Sequence, residues 1–424
     1  MDFQMQGISV KDVAKEYGTP FYWYDSEVLK TTYNDLKTYM PEEIELFYSL
    51  KANPNITIYN YLKSLGAKAE VSSLAELKTV LLSGTNPADI IFLGPGKSEE
   101  EIKCCIENSI YAIVCESIQE LQLINDISIE FNKKTSVALR INPSFITKGS
   151  KLTMGGKPRQ FGIDEEFILS DSNSFKGLSN IDIIGIHVYM GTRILEHSEI
   201  YQNTVNILQL SQLISSKLGF NLQFVDIGGG LGVPYFEKEK ELDLPKLGET
   251  LHTVIKEFKN KFPYTRIFME LGRYLVAKSG IFVSKVRYLK ESRGELFAIT
   301  DGGTNCHMAA VGISSFVKRN FPMKNLCNLD GVDKHLYNVA GPLCTPNDLV
   351  GKLVELPTVS VGDFIGVFNS GAYGPSASPV LFLSHGYPAE ILMHNSKSYL
   401  IRNRDNANDI LGKQTLYDLV PEKV

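Results

Sequence analysis

Lys51 closes the run Phe47-Tyr-Ser-Leu-Lys-Ala-Asn-Pro-Asn55, in which apolar and aromatic residues carry one amine to a polar turn. That layout predicts a buried strand with the lysine at its rim. Desolvation there would disfavour the ammonium and free the amine as a nucleophile or Schiff-base former; the competing reading is a lysine capping a strand at the surface. Other apolar runs end in Arg140-Ile-Asn142-Pro143, His187-Val-Tyr189-Met-Gly191-Thr192, Asp226-Ile-Gly228-Gly229-Gly230-Leu-Gly232 and Glu270-Leu271-Gly272-Arg273. The glycine run does not fit the G-x-G-x-x-G dinucleotide fingerprint. It reads as a tight turn or, through exposed backbone N–H groups, as a phosphate cradle, and Arg273 favours the second. An amine, a phosphate cradle and a carboxylate in one mouth suggest pyridoxal 5'-phosphate. Lys51 would hold the aldehyde as an imine, and Gly228–Gly230 with Arg273 the phosphate. Glu270 would keep the pyridine nitrogen protonated, so that the ring serves as an electron sink. His187 would stack on the ring, or else be a core histidine.

These residues need a scaffold that gathers strand ends. Strand-like runs are Ile44–Leu50, Ala69–Ser72, Ile90–Leu93, Ala112–Glu116, Ser136–Ile141, Ile183–Val188, Leu222–Ile227 and Arg266–Glu270. Amphipathic segments such as Ser73–Leu82, Glu99–Ile106, Ser117–Glu130 and Tyr201–Leu218 lie between them. Eight alternations predict an α/β chain folded as a (β/α)₈ TIM-like barrel, with a doubly wound sheet as the rival. Beyond Ala277, runs such as Gly280–Tyr288, Glu295–Thr300, Leu353–Pro357, Asp363–Val367 and Ser398–Arg402 predict a mostly β domain, which Thr19–Tyr24 would join. The expected boundaries are 25–279 for the barrel, and 1–24 with 280–424 for the β-rich domain.

The chain has 424 residues, 43% hydrophobic and 21% charged, with a formal net charge of −5. This composition suits a globular protein of two or three domains and disfavours an extended nucleic-acid surface. The first residues lack signal-peptide character and no apolar run is long enough to span a bilayer, so a cytoplasmic protein without a membrane partner is expected. Its six cysteines include no Cys-x-x-Cys pair and read as reduced thiols. The histidine spacings give no support to a metal site.

Taken together, Tyr48-Ser-Leu-Lys51-Ala-Asn, Gly94-Pro-Gly-Lys97, Gly185-Ile-His187, Gly228-Gly-Gly230, Glu270-Leu-Gly272-Arg273, Gly341-Pro-Leu-Cys344 and Gly371-Ala-Tyr373-Gly374 resemble the fold-type III pyridoxal-phosphate decarboxylases. This group includes diaminopimelate, ornithine and arginine decarboxylases, and its barrel is related to that of alanine racemase. The resemblance implies a homodimer with two shared active sites. Cys344 would enter from the partner subunit to protonate the carbanion, and Tyr373 and Thr192 would contact the phosphate. Leu271 and Gly272 belong to the cofactor-binding stretch. Arg140, Arg273, Thr345, Asp348 and Tyr373 are the candidates for touching substrate. Glu270 argues for decarboxylation, since the racemases of this barrel place arginine there. A catalytically inert binding protein is the alternative of another class.

The substrate pattern departs from the commoner family. Diaminopimelate decarboxylases carry a carboxylate-gripping arginine where this chain has Ala309, and glutamate after the catalytic cysteine where it has Thr345. Both changes argue against a free diamino acid, although Asp348 is a possible receiver for a distal amine. Met154-Gly-Gly-Lys-Pro-Arg159-Gln160-Phe161-Gly162, Gly230-Leu-Gly-Val-Pro-Tyr235-Phe and Gly341-Pro-Leu-Cys-Thr345-Pro resemble a narrower group, the glutamyl-[acyl-carrier protein] decarboxylases of butirosin biosynthesis. That implies a carrier-bound or masked amino acid, with diaminopimelate as the runner-up. An acidic carrier protein would dock on basic residues such as Lys318, Arg319 and Lys324, or Lys148, Lys151, Lys157 and Arg159; ordinary solvated charge is the other reading of each cluster.

Overall fold

The structure, a computed structural model, describes residues 2–146, 152–311 and 319–419. Lys148, Lys151 and Lys318 lie outside the described residues. The chain divides into two compact units, Glu27–Lys278 and a second made of Met1–Ser26 with Ser279–Val424.

In the first unit, eight parallel strands close on themselves. They are Ile44–Ser49, Lys68–Val71, Ile90–Phe92, Ala112–Cys115, Thr135–Asn142, Ile181–His187, Phe224–Gly229 and Arg266–Leu271. We refer to them as barrel strands one to eight. Strand eight pairs back onto strand one from Ile267↔Ile44 to Leu271↔Tyr48, which completes the (β/α)₈ barrel. Strand one is buried on both faces, as an unbroken Leu-Phe-Tyr run requires inside a helix-wrapped sheet. The barrel interior is filled by Phe47, Ile91, Ala112, Val114, Ala138, Ile184, Phe224 and Phe268. Phe268 packs against Phe47 and Phe224 at centroid separations of 4.4 and 4.7 Å.

Helices follow the strands through one repeated device. Ser73, Ser98 and Ser117 each accept a hydrogen bond from the backbone N–H three residues on, at Glu76, Glu101 and Glu120. Each glutamate reaches back to a backbone N–H before its helix, at Ser72, Ser98 and Glu116 respectively. This Ser-x-x-Glu pattern satisfies orphan donors of the first turn and fixes where each strand ends.

The second unit is mostly β. Gly280–Ser292 pairs antiparallel with Phe21–Asp25, which pairs in parallel with Ala389–His394. Its core gathers Phe21, Trp23, Ile281, Val283, Leu326, Phe364, Ile391 and Met393. Among the described residues, no helix is long and apolar enough to cross a membrane.

Candidate active site

Barrel strand one ends at Ser49, and a single 3₁₀ turn, Leu50–Ala52, presents Lys51. The expected desolvation is corrected by the geometry. The Lys51 side chain keeps 38% of its exposure, and its Nζ donates to Glu70 Oε2 at 2.8 Å. Glu70 comes from strand two and is 1% exposed; its other oxygen accepts from Ser72 Oγ at 2.7 Å. The amine is therefore held by a buried carboxylate rather than stripped of partners. Glu76 lies next in line, its Oε2 accepting from Ser72 N–H at 2.7 Å. Burial foremost, then the charge of Glu70, pushes the Glu76 carboxyl up to about 7, against the Ser72 N–H and Lys51.

Around the same mouth, His187 ends strand six and Glu270 sits near the end of strand eight, the strand paired with strand one, with His187 Nε2 3.4 Å from Glu270 Oε1 and both side chains buried. Asp226 from strand seven joins them, the donor atoms of the three lying within 4.8 Å of one another. Burial works to raise the Glu270 carboxyl, but the His187 and Lys51 charges and the approach of Asp226 bring it down to about 2. Asp226 goes the other way, raised by burial and then by the Glu270 charge, although Gly228 N–H donates to its Oδ1 at 2.8 Å. Two buried carboxylates side by side cannot both ionise cheaply, so Asp226 keeps the proton and Glu270 the charge.

Strand seven runs into the glycines. A Cβ on Gly229 would stand 1.7 Å from the Glu270 carbonyl oxygen, and one on Gly230 2.3 Å from the Gly191 carbonyl oxygen. Gly228 and Gly230 have φ of +66° and +84°. The run is therefore glycine because the loops after strands six and seven and strand eight approach backbone to backbone. Thr192 lies in the short strand Gly191–Thr192 after strand six. Arg273 opens the turn after strand eight behind Leu271 and Gly272, and its Nη1 donates to Tyr235 Oη at 2.9 Å.

Arg140 is placed differently. It is buried at the end of strand five, donates to Glu116 Oε1 at 2.7 Å, and its guanidinium lies 4.7 Å from the Phe161 ring centroid. Lys97 of the Gly94–Lys97 stretch is also buried, donating to Glu120 Oε1 at 2.6 Å.

In the second unit, Cys344 is exposed. It lies on the loop Gly341–Asp348 together with half-buried Thr345. Asp348 organises that loop. Its Oδ1 accepts from Thr304 N–H and Oγ1 at 2.6 and 2.9 Å, and its Oδ2 accepts from Leu343 N–H at 2.7 Å, with the residue 3% exposed. Tyr373 adopts φ of +54° beside Gly374.

The sequence alone gives no role to Glu70 or Arg193, and contains Asp226 and Tyr235 within its motifs without assigning them one. The available signal for Glu70 was a lone acid in the short buried strand Lys68-Ala-Glu-Val71.

The site fits pyridoxal phosphate on its own terms. Both ring nitrogens of buried His187 and both Glu270 carboxylate oxygens have no hydrogen-bond partner among the described residues. A buried carboxylate so left suits a group that brings its own N–H donor and a flat face.

Comparison with known proteins agrees. Residues 27–277 match the family described as "Pyridoxal-dependent decarboxylase, pyridoxal binding domain". The chain is 38% identical to the L-glutamyl-[BtrI acyl-carrier protein] decarboxylase of Niallia circulans, covering 95% of each sequence. It is 31% identical to the diaminopimelate decarboxylase of Methanocaldococcus jannaschii, covering 99% of this chain and 95% of the relative. The crystal structure of diaminopimelate decarboxylase from M. jannaschii superposes with a TM-score of 0.88 at 28% identity, over 98% of this chain and 96% of that one. The Lys51 turn, the buried Glu270–His187 pair and the glycine cradle thus stand on the barrel of a known family: the chain belongs to the pyridoxal-dependent decarboxylases.

Proposed function

We propose that this decarboxylase acts on an amino acid whose distal end bears no ammonium, such as a glutamyl group carried as a thioester on an acyl carrier protein. The observation that carries this reading is the loop Cys344–Asp348. Thr345 is neutral, and Asp348, the one acid of the loop, spends its carboxylate on three internal hydrogen bonds. A diamino substrate would find no carboxylate to receive its far ammonium there, and an uncompensated buried charge is strongly disfavoured. Ala309, where a carboxylate-gripping arginine stands in diaminopimelate decarboxylases, and the 38% identity to a glutamyl-carrier decarboxylase support the same choice.

Lys51 would hold the cofactor aldehyde, Glu270 the pyridine nitrogen, and His187 one ring face. Gly228–Gly230, Thr192, Arg273 and Tyr373 would hold the phosphate. When bound, pyridoxal phosphate supplies a sink for the electron pair left by the departing carboxylate. The protein's own groups do the rest. Glu70, itself held by Ser72 Oγ, steadies the Lys51 amine. Asp226 keeps its proton, so that the single negative charge of the carboxylate pair rests on Glu270. Cys344, exposed on its loop, would deliver a proton to Cα from the partner subunit of a homodimer with two shared sites. Such an enzyme would serve a carrier-dependent biosynthetic route in the cytoplasm, with exposed Lys157, Arg159, Arg319 and Lys324 as candidate contacts for an acidic carrier.

The test is CO2 release by the holoenzyme from glutamyl-carrier protein, meso-diaminopimelate, ornithine, lysine and arginine. Turnover of the thioester is expected. Rapid turnover of diaminopimelate with none of the thioester would overturn the reading in favour of diaminopimelate decarboxylation, the activity carried in the name of the 31% relative.

A further inference from the structure

Arg193 is the least expected residue around the cradle. It follows Thr192 in the loop after barrel strand six, with φ of +63°, a region that non-glycine residues seldom occupy. Its side chain rests on Tyr235, Phe236 and Glu239. The guanidinium lies 5.3 and 5.0 Å from the ring centroids of Tyr235 and Phe236, and its Nη2 is 3.3 Å from Glu239 Oε1. Glu239 Oε2 in turn accepts from Tyr235 N–H at 2.9 Å, and Tyr235 Oη accepts from Arg273 Nη1 at 2.9 Å. A chain of contacts, Arg193–Glu239–Tyr235–Arg273, therefore crosses from the loop after strand six, over the loop after strand seven, to the turn after strand eight.

The backbones beneath it are joined as well. Ile194 N–H donates to the Gly230 carbonyl at 3.0 Å, Gly232 N–H donates to the Ile194 carbonyl at 2.8 Å, and Ile194 forms a parallel bridge with Leu231. These three segments carry Thr192, Gly228–Gly230 and Arg273, the groups assigned above to the phosphate.

We propose that Arg193, Glu239 and Tyr235 are positioning residues that brace these three segments into a preformed phosphate cup, so that cofactor affinity is set through Arg193 without Arg193 touching the cofactor. The inference rests on the phosphate assignment made under the proposed function. Preorganisation of this kind holds donors in place before the anion arrives, and supporting residues that do so are worth about tenfold or more in affinity. Tyr235 serves both arginines, offering a ring to Arg193 and a hydroxyl to Arg273, whose guanidinium lies 5.4 Å from the same ring centroid.

The experiment titrates apoenzyme with pyridoxal phosphate and, separately, with pyridoxal, which lacks the phosphate. Arg193→Gln should raise the Kd for pyridoxal phosphate about tenfold and leave that for pyridoxal within about twofold. Arg193→Lys, which keeps the charge for Glu239 but loses the planar stack, should fall between. Equal weakening of both ligands, as general damage to the barrel would give, or no weakening of either, overturns the brace. If Arg193→Gln does not fold, Glu239→Gln carries the same comparison, with the same selective loss expected. Arg273→Gln separates the two layers. Unchanged affinity there would refute the phosphate assignment itself, whereas weakening in Arg273→Gln without any in Arg193→Gln or Glu239→Gln would refute the brace alone.

Discussion

Glu76→Gln tests the electrostatics of the lysine wall. The carboxyl of Glu76 ordinarily titrates near 4.5 and is held up to about 7 by burial and by Glu70. In the unfolded chain it loses its proton near 4.5; in the folded chain it keeps it until about 7. A carboxyl raised in this way binds more protons folded than unfolded across that window, so stability must fall as pH rises through it and level off above about 7. At roughly 1.4 kcal/mol per pH unit, the full displacement amounts to about 3 kcal/mol by pH 8. Glutamine removes the titration yet keeps a carbonyl oxygen for the Ser72 N–H, the hydrogen bond this side chain accepts. The assay is the thermal midpoint of wild type and Glu76→Gln apoenzyme from pH 4.5 to 8.5. The variant should match wild type at the acid end and exceed it by several degrees above pH 7, since about 1 kcal/mol moves a unit of this size by about 2–4 °C. Asp226, also raised by burial, is common to both proteins, so the difference curve isolates Glu76. Parallel profiles over the whole range would refute the account.

Other expectations follow from the same geometry. Lys51→Ala should remove the visible absorbance of bound cofactor after gel filtration; persistence of that band would remove Lys51 from its role. Glu270→Gln, which cannot hold a negative charge against the pyridine nitrogen, should cut kcat by about a hundredfold or more while the cofactor stays bound, as steady-state kinetics with a cofactor titration would show. Co-expressed Lys51→Ala and Cys344→Ala chains, each inactive alone, should recover about a quarter of wild-type activity if every site draws on two subunits; no recovery would refute shared sites. Gly229→Ala, whose Cβ would press on the Glu270 carbonyl oxygen at 1.7 Å, should cost at least about 3 kcal/mol in urea unfolding or fail to fold.

The barrel was readable because its strands are short, continuously apolar and separated by helices with serine caps, so length and flanking signals agree. The ends were harder. Leu222–Ile227 was expected where Phe224–Gly229 pairs, because the ladder to strand eight resumes at Gly229↔Glu270 across a register shift that no propensity encodes. In the site, Lys51, His187 and Glu270 announced themselves by closing apolar runs. Glu70 did not, since its claim on Lys51 depends on the neighbouring register Ser49↔Glu70, a relation between strands rather than along one. Asp348 was legible as an acid but not as an occupied one. Only its hydrogen bonds to Thr304 and Leu343 show that the carboxylate is committed to the loop.

That distinction between a charge and an available charge organises the whole site. The barrel mouth carries Glu70, Glu76, Asp226 and Glu270, yet each is bound to a different task. Glu70 is paired with the Lys51 amine. Glu76 ties back its own helix and keeps its proton up to about 7. Asp226 holds a proton and the Gly228 N–H. Glu270 alone combines ionisation with oxygens that have no hydrogen-bond partner among the described residues, His187 standing 3.4 Å away. A ligand bringing one N–H donor therefore meets one ready acceptor, and a second positive group on the substrate would meet none among these four. On the proposed reading, selectivity against a distal ammonium would require no repulsive residue: it would follow from carboxylates whose charges are already matched or whose protons are retained.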